Sequence, residues 1–291
     1  MRINGSIVLY NNDEELLNNA ISSFLNTELE VKLYLIDNSP TDDLKYLSNV
    51  DDRIEYSFNN KNLGFGVAHN IALQKSIDNG VEYHLVLNPD VHYDGGVIEE
   101  LLGYMDKNQD VANVMPKVYY PNGKLQYLCK LLPTPMELIV RRFISSDKII
   151  QKINKNYELH DFGYDKILNV PFLSGCFMFL RVEYLKEVGI FDEDIFMYME
   201  DTDLNRRLHE KYKTVFYPHV SITHVHAKES YKRKALLIAH IKSTIYYFNK
   251  WGWFFDGFRR KKNKELLKRI ILPQKVKTTF PGTVQKSVSI R

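Results

Sequence analysis

Short apolar runs alternating with polar, helix-patterned stretches set the main constraint on how this chain can fold. Ile3 to Tyr10 and Val31 to Ile36 read as buried strands, with a polar helical stretch from Asp13 to Leu25 between them. Ile54 to Phe58 reads as a third strand. Gly66 to Asn79 follows as a helix, with Val67, Ile71, Leu73 or Gln74, and Ile77 at its periodic positions, and Tyr83 to Leu87 is a strand ending at Asn88-Pro-Asp90. Parallel neighbours need a crossover between them, and strand–helix–strand–helix–strand with short connections supplies it. The pattern therefore predicts an α/β fold built on a parallel sheet.

Further along, Val97 to Met105 predicts a helix and Val170 to Leu180 a strand entered through a tight turn at Ser174-Gly175. Asp201 to Tyr212 predicts another helix, and Thr214 to Tyr217 another strand. Between Lys117 and Asp165 the periodicity weakens and Pro121, Pro133 and Pro135 interrupt it, which predicts irregular structure.

At 291 residues the chain has room for one large α/β domain or two smaller ones. Its two cysteines, Cys129 and Cys176, form no disulfide framework and no metal-binding spacing, which fits a reducing compartment. The first ten residues lack the apolar core of a signal peptide, and no apolar stretch reaches the length of a bilayer span. The net charge of +3 hides a division. From Lys228 onward there are 17 basic residues against 3 acids, whereas the first 227 residues hold 22 against 33. An acidic body with a basic tail points to a polyanionic surface as partner, nucleic acid or anionic lipid.

The chemistry concentrates in Phe196-Met-Tyr-Met-Glu-Asp-Thr-Asp-Leu204, where Asp194, Glu200, Asp201 and Asp203 lie in or beside a run of large apolar side chains. A desolvated carboxylate is costly without a partner, so half-buried acids point to proton abstraction or cation binding. Asp37 and Asp90 each follow a strand, where ligands gather in open α/β sheets, and there they suit a ribose or base contact and a phosphate-bridging divalent cation. An acid in that position is also a common turn or cap residue. Asn62-Leu-Gly-Phe-Gly-Val-Ala-His-Asn70 is a glycine-containing turn opening a helix. It suits a phosphate or sugar contact, or a plain helix entry.

The ordered set Asp37-Asn-Ser, Asn62-x-Gly-Phe-Gly-x-x-x-Asn70, Leu87-Asn-Pro-Asp-Val91, Ser174-Gly-x-x-Met-x-x-Arg181, Val188-Gly-x-Phe-Asp-Glu193 and Phe196-Met-Tyr-x-Glu-Asp-x-Asp-Leu-x-x-Arg207 resembles family 2 glycosyltransferases. It is most similar to the rhamnosyltransferase-type branch that builds bacterial O-antigen and related polysaccharides, over about residues 1 to 250. The resemblance implies a GT-A fold over residues 1–227, with a nucleotide-sugar half to about residue 91 and an acceptor half from 92 to 227. It implies an inverting enzyme in which Asp201 is the general base and Glu200 orients the acceptor or the loop. Asp203 is then a cap for the helix from Leu204 onward, supported by Asn205 or Arg206.

By the same resemblance, Asn88-Pro-Asp90 stands where relatives carry Asp-x-Asp, so Asp90 would hold Mg²⁺ or Mn²⁺ on the donor diphosphate. His224 is the implied third ligand, with His226 and His219 as alternatives. Tyr10, Asn11 and Asp37 would line the nucleotide pocket. Asn62, Gly64, Asn70, Asn88 and Gly175 would approach the donor, Gly175 being otherwise a positive-φ turn. Arg181 would neutralise phosphate or pair with an acid of the 192–203 run. The implied donor is dTDP-rhamnose or a UDP-linked sugar, and the acceptor a lipid-linked glycan at the cytoplasmic membrane face.

The basic residues 228–291 divide in two. Ala235 to Phe248 carries Leu237, Ile238, Ile241, Ile245 and Phe248 at helical spacing and reads as a helix packed on the body. Trp251-Gly-Trp-Phe-Phe255 followed by Arg259-Arg-Lys-Lys262 has the composition of an interfacial anchor for an anionic membrane. The stretch from Gln274 reads as an irregular tail. A nucleotidyltransferase would want a glycine-rich phosphate signature near the N-terminus, and Tyr10-Asn-Asn-Asp13 offers none. Nucleic acid is not expected as a partner.

Overall fold

A computed structural model describes residues 2–143, 146–225 and 234–277. The N-terminal half follows the predicted alternation: β1 (Ile3–Leu9), α1 (Glu14–Leu25), β2 (Val31–Asp37), β3 (Ile54–Phe58), α2 (Phe65–Asp78) and β4 (Tyr83–Leu87). Asp13 caps α1 by accepting the Leu16 N–H at 3.0 Å, so the polar start of that helix has a local cause. Strands β3, β2, β1 and β4 lie side by side in parallel. Ile3, Ile7 and Leu9 of β1 join the main apolar core on one sheet face. On the other face Asn4 and Ser6 meet Ser76, His69 and His84 in a buried hydrogen-bonded seam.

The second half completes the same sheet in a mixed manner. A two-residue β5 (Val91–His92), α3 (Val97–Lys107), β6 (Val111–Tyr119), the short β7 (Cys129–Lys130), α4 (Pro135–Phe143) and α5 (Asp147–Tyr157) come first. They are followed by β8 (Leu168–Asn169), β9 (Phe172–Leu173), β10 (Phe177–Arg181), α6 (Val182–Val188), α7 (Glu200–Lys211) and β11 (Lys213–His224). The strand order is β3-β2-β1-β4-β10-β6-β11-β5, with β8 on β11 and a separate β7–β9 pair. β10 runs antiparallel between β4 and β6 and joins the two halves.

Two expectations are corrected here. The region from Lys117 to Asp165 is not irregular: it holds the end of β6, then α4 and α5, with Pro135 at the first position of α4. Proline's fixed φ and missing N–H suit a helix start, so a residue read as a breaker opens an element. Strand β6 itself, central and buried from Val111 to Pro116, was not expected at all.

Beyond the sheet, α8 (Lys234–Trp251) and α9 (Gly257–Lys277) pack on the body. Tyr247 and Phe248 of α8 are fully buried against Met199, and Ser243 donates to the Met197 carbonyl at 2.8 Å. Helix α9 continues through Gln274 to Lys277, where an irregular tail was expected. His226 lies outside the described residues. No described helix is long and apolar enough to cross a membrane.

Candidate active site

The structure sorts the acids of the 192–203 run by partner. Asp192 pairs with Lys250 at 2.5 Å, and the Tyr246 hydroxyl bonds to both Asp192 and Asp194. Asp203 is fully buried and does not cap a helix; α7 begins three residues earlier. Its carboxylate accepts from Lys250 at 2.9 Å, the Trp251 indole at 2.7 Å and Arg207 at 2.8 Å, which ties α7 to α8. Arg206 makes a buried two-pronged pair with Asp256 at 2.5 and 3.0 Å. Glu200 and Asp201 are held differently.

Glu200 is buried, and its Oε2 has no hydrogen-bond partner among the described residues. Burial, and then the charge of Asp201, push its pKa well above the ordinary value. Asp201 is half-buried. Its Oδ2 accepts the Gly175 N–H at 2.9 Å, and its Oδ1 accepts the Thr202 N–H at 2.7 Å. Burial raises its pKa too, against the opposing pull of the Gly175 N–H, Lys130 and Thr202. The two residues before this pair, Tyr198 and Met199, sit at φ 66° and 72°. Each left-handed non-glycine residue costs about 1–3 kcal/mol, and such strain collects at functional sites.

Gly175 does not have the positive φ of the turn expected from sequence. Its requirement is steric: a Cβ there would lie 3.0 Å from the Asp201 Cβ. Asn205 secures the same corner, donating to Leu173 O at 2.9 Å and Asp201 O at 2.8 Å. The residue after Gly175 leads to the second acid. Cys176 O accepts the Asn88 N–H at 2.9 Å, which places Asn88-Pro-Asp90 against the turn that holds Asp201.

Asp90 is fixed from the other side by β5. The pairing His224↔Val91 sets the His224 Nε2 3.4 Å from Asp90 Oδ1. His224 Nδ1 faces Gln126 Oε1 at 3.0 Å, while the Gln126 amide nitrogen donates to His224 O at 2.7 Å. Gln126 thus holds a hydrogen on Nδ1 and keeps Nε2 aimed at Asp90. Burial pushes the His224 pKa down, but Cys176 and Asp90 outweigh it and lift it to about 10. Among the described residues no group of three His, Cys, Asp or Glu forms a complete metal cluster. An Asp–His pair with a tautomer-fixing neighbour still fits a divalent cation whose remaining ligands are phosphate oxygens and water, with the cation replacing the shared proton.

Asp37 lies on the same carboxyl edge of the sheet. Leu9 pairs with Asp37, and Ile7 pairs with Leu87, so β2 and β4 flank β1 and both end at this edge. Asp37 is fully buried, however, and both its oxygens are used inside, by the Tyr56 hydroxyl at 2.6 Å and the Ser39 N–H at 2.7 Å. It shapes the wall of this edge. Half-exposed Tyr10 and Asn11 stand above, and the Asn11 N–H bonds Ser39 Oγ.

The Asn62–Asn70 turn is a structural junction. Asn62 Oδ1 accepts the Gly64 N–H at 2.9 Å, and Gly64, at φ 83°, lies so close to Phe196 that a Cβ would meet its carbonyl oxygen at 2.0 Å. Asn70 does not face the donor edge: its amide bonds the Phe191 backbone in both directions, at 2.9 and 3.0 Å. Arg181 is corrected likewise. It neither pairs with the 192–203 acids nor faces phosphate, but donates to the carbonyls of Val111 and Met105 and to the Tyr83 hydroxyl under the sheet.

Residues 6–189 match the Glycosyl transferase family 2 domain. The chain belongs to that family. Two Mycobacterium tuberculosis proteins, from strains CDC 1551 / Oshkosh and ATCC 25618 / H37Rv, are similar to this glycosyltransferase. Each is named N-acetylglucosaminyl-diphospho-decaprenol L-rhamnosyltransferase and is 26% identical over 243 residues, 79% of either chain. Among solved structures, GalNAc-T7 with UDP, GalNAc and Mn²⁺ superimposes with a TM-score of 0.58 at 15% identity. That likeness covers 77% of this chain and 43% of the other. Staphylococcus aureus TarS 1–349 with UDP gives 0.56 at 13% identity over 92% and 71%. The family 2 glycosyltransferase therefore has the GT-A fold.

The other side of Asp201 opens into a cavity of about 240 Å³, lined by Glu200 and Asp201 together with Lys130, Tyr157, Phe172, Tyr198 and His240. Neither Asp37 nor Asp90 lines it, so Asp201 stands between this cavity and the sheet edge. Sequence reasoning missed Gln126, Lys130 and His240. Each lies in a segment with no motif, and contacts across 98 residues, as between Gln126 and His224, leave no local signal.

Proposed function

We propose that this glycosyltransferase moves a sugar from a nucleotide-sugar donor to a hydroxyl of a lipid-linked glycan acceptor, with Asp201 as general base and inversion at the anomeric carbon. One observation carries the reading. Asp201 is bound to the Gly175 N–H, and the next residue's carbonyl binds Asn88, so an acceptor cavity and a diphosphate edge meet at a single turn. Asp201 takes the proton from the acceptor hydroxyl as that oxygen attacks, and the C–O bond to the nucleoside diphosphate breaks on the opposite face. Its raised pKa suits it to holding that proton. Glu200, buried beside it, helps to hold the acceptor in place.

Asp90 and His224 would hold Mg²⁺ or Mn²⁺, with Asn88 on a bound water; the cation supplies charge neutralisation to the departing diphosphate. Tyr10, Asn11 and the wall built on Asp37 would receive the nucleotide, and Asn62 and Gly64 shape the loop beside it. The similarity to proteins named L-rhamnosyltransferase makes dTDP-rhamnose the first donor to test. The UDP in both structural neighbours makes UDP-hexoses the second. The lipid-linked acceptor rests on the same relatives' name, and cell-surface polysaccharide as the product rests on the resemblance carried by the motifs.

Asp201→Asn should lower transfer by about two to four powers of ten while dTDP or UDP binding, read by calorimetry, is unchanged. Intact transfer by that variant would remove Asp201 as base. A thermal-shift panel of nucleotide sugars with Mg²⁺ and Mn²⁺ identifies the donor, since binding raises Tm by mass action.

We place residues 1–227 as catalytic body and the basic extension at the inner membrane face. Arg259 is not part of that surface: it is buried and donates to the Trp253 carbonyl at 2.9 Å. Exposed Phe254 and Phe255, with Arg260 and Lys261, support the reading. Sedimentation with anionic vesicles or duplex DNA across a salt series tests it, and preference for DNA would count against it.

A further inference from the structure

A second cavity, of about 230 Å³, lies between α4 and α8. Apart from His240 and Thr244 its lining is apolar, including Ile139, Leu237, Ile241, Ile245 and Phe248. Ile139, Ile241 and Ile245 are 51%, 40% and 44% exposed, so nothing among the described residues covers them fully. Surface apolar residues scattered singly need no explanation, but these converge on one concavity. From Leu237 to Phe248 the groove follows α8 for about 16 Å, at 1.5 Å per residue. That shape suits an extended chain better than a compact head group.

The groove is continuous with the site. Leu138 and His240 line both cavities, so the apolar channel ends where the Asp201 cavity begins. At the junction stands His240, 5.0 Å from the Tyr198 ring, and Lys130 lines the Asp201 cavity beyond it. Moving inward, the lining passes from hydrocarbon, through nitrogen-bearing groups suited to an anion, to the Asp201 carboxylate. A lipid-linked sugar diphosphate presents the matching sequence: hydrocarbon chain, charged linkage, sugar hydroxyl.

We infer that the α4–α8 groove holds the hydrocarbon chain of the acceptor, with the diphosphate linkage beside Lys130 and His240 and the reacting hydroxyl at Asp201. The inference rests on the lipid-linked acceptor proposed above and adds where the lipid lies. An anionic vesicle surface or a second copy of the chain would not account for a channel that leads to the base.

The test compares N-acetylglucosaminyl diphosphates carrying a long polyprenyl chain, a geranyl chain or a methyl group, with Ile241→Asp and Ile245→Trp variants. Wild type should show KM falling with chain length. Each variant should raise KM for the polyprenyl acceptor about tenfold or more and leave the methyl acceptor unchanged, so a folding defect is separated from a lost contact. Wild-type transfer that ignores chain length, or an equal loss on all three acceptors, would overturn the groove assignment alone. Wild-type inactivity on every acceptor would remove the lipid-linked acceptor reading and the assignment with it. If plain anionic vesicles lose the Ile241→Asp variant while its KM in detergent is unchanged, the face belongs to the membrane and the assignment fails.

Discussion

The Asp201 carboxylate accepts the Gly175 N–H at 2.9 Å, at a corner where a single added methyl would lie 3.0 Å from the Asp201 Cβ. The proposed base and the turn are therefore fixed by one another. Gly175→Ala should push the Asp201 side chain aside and lower kcat by about 10²-fold, the scale of a 1 Å misplacement. Nucleotide affinity should hold, since the added methyl faces Asp201. Steady-state kinetics with calorimetry on the same preparation separates the two effects.

Glu200 stores a cost in stability. Its folded-state pKa is raised, so the folded chain keeps the proton to higher pH than the unfolded chain does. Stability is then lost as pH rises above the unfolded value of about 4.3, the reverse of a salt-bridged carboxylate. Glu200→Gln removes that cost and should raise Tm by about 2–4 °C at pH 8 for each 1 kcal/mol relieved. The gain should shrink towards pH 4, which melting curves across pH would show.

Transfer should carry the same signature from Asp201. A base must be deprotonated, and burial lifts this one above the ordinary carboxylate value. The acid limb of kcat/KM should therefore fall above the pH at which a solvated aspartate titrates. A pH–rate profile checks this; a limb at the pH of a solvated aspartate would contradict it.

Arg206 and Asp256 form a buried ion pair beneath Trp251, with the guanidinium 4.2 Å from the indole ring. Removing one partner leaves an uncompensated charge, so Asp256→Ala should cost about 3–5 kcal/mol in urea denaturation. Arg206→Met combined with it should recover part of the loss.

Gln126 reaches the proposed cation site through His224. Gln126→Ala should weaken Mn²⁺ binding, titrated by electron spin resonance with UDP present, by about 10–100-fold. Nucleotide binding without metal should be unchanged.

What the sequence made legible follows from where each signal resides. Strands β1 to β4 and helix α2 announce themselves because a parallel sheet buried on both faces leaves near-continuous apolar runs. Strand β6 has the same burial but carries Asn113 and Pro116 inside it, so its run was broken and passed unnoticed. The Glu200–Asp201 pair was visible as acids among apolar neighbours. The assignment of Asp203 to a cap failed because its partners, Lys250 and Trp251, lie almost fifty residues away. Asp37 and Asn70 were found as motif residues, yet their side chains hold Tyr56 and Phe191, and motif membership alone does not say which way a side chain points.

The ties from α8 back to Asp192 and Asp203 bear on where this polypeptide can be cut. The family match stops at residue 189, but a fragment ending there lacks Glu200 and Asp201 altogether, and one ending between Leu204 and Asn249 strips Asp192 and Asp203 of Lys250. The shortest self-sufficient piece of this protein therefore extends well past the segment by which its kinship is detected.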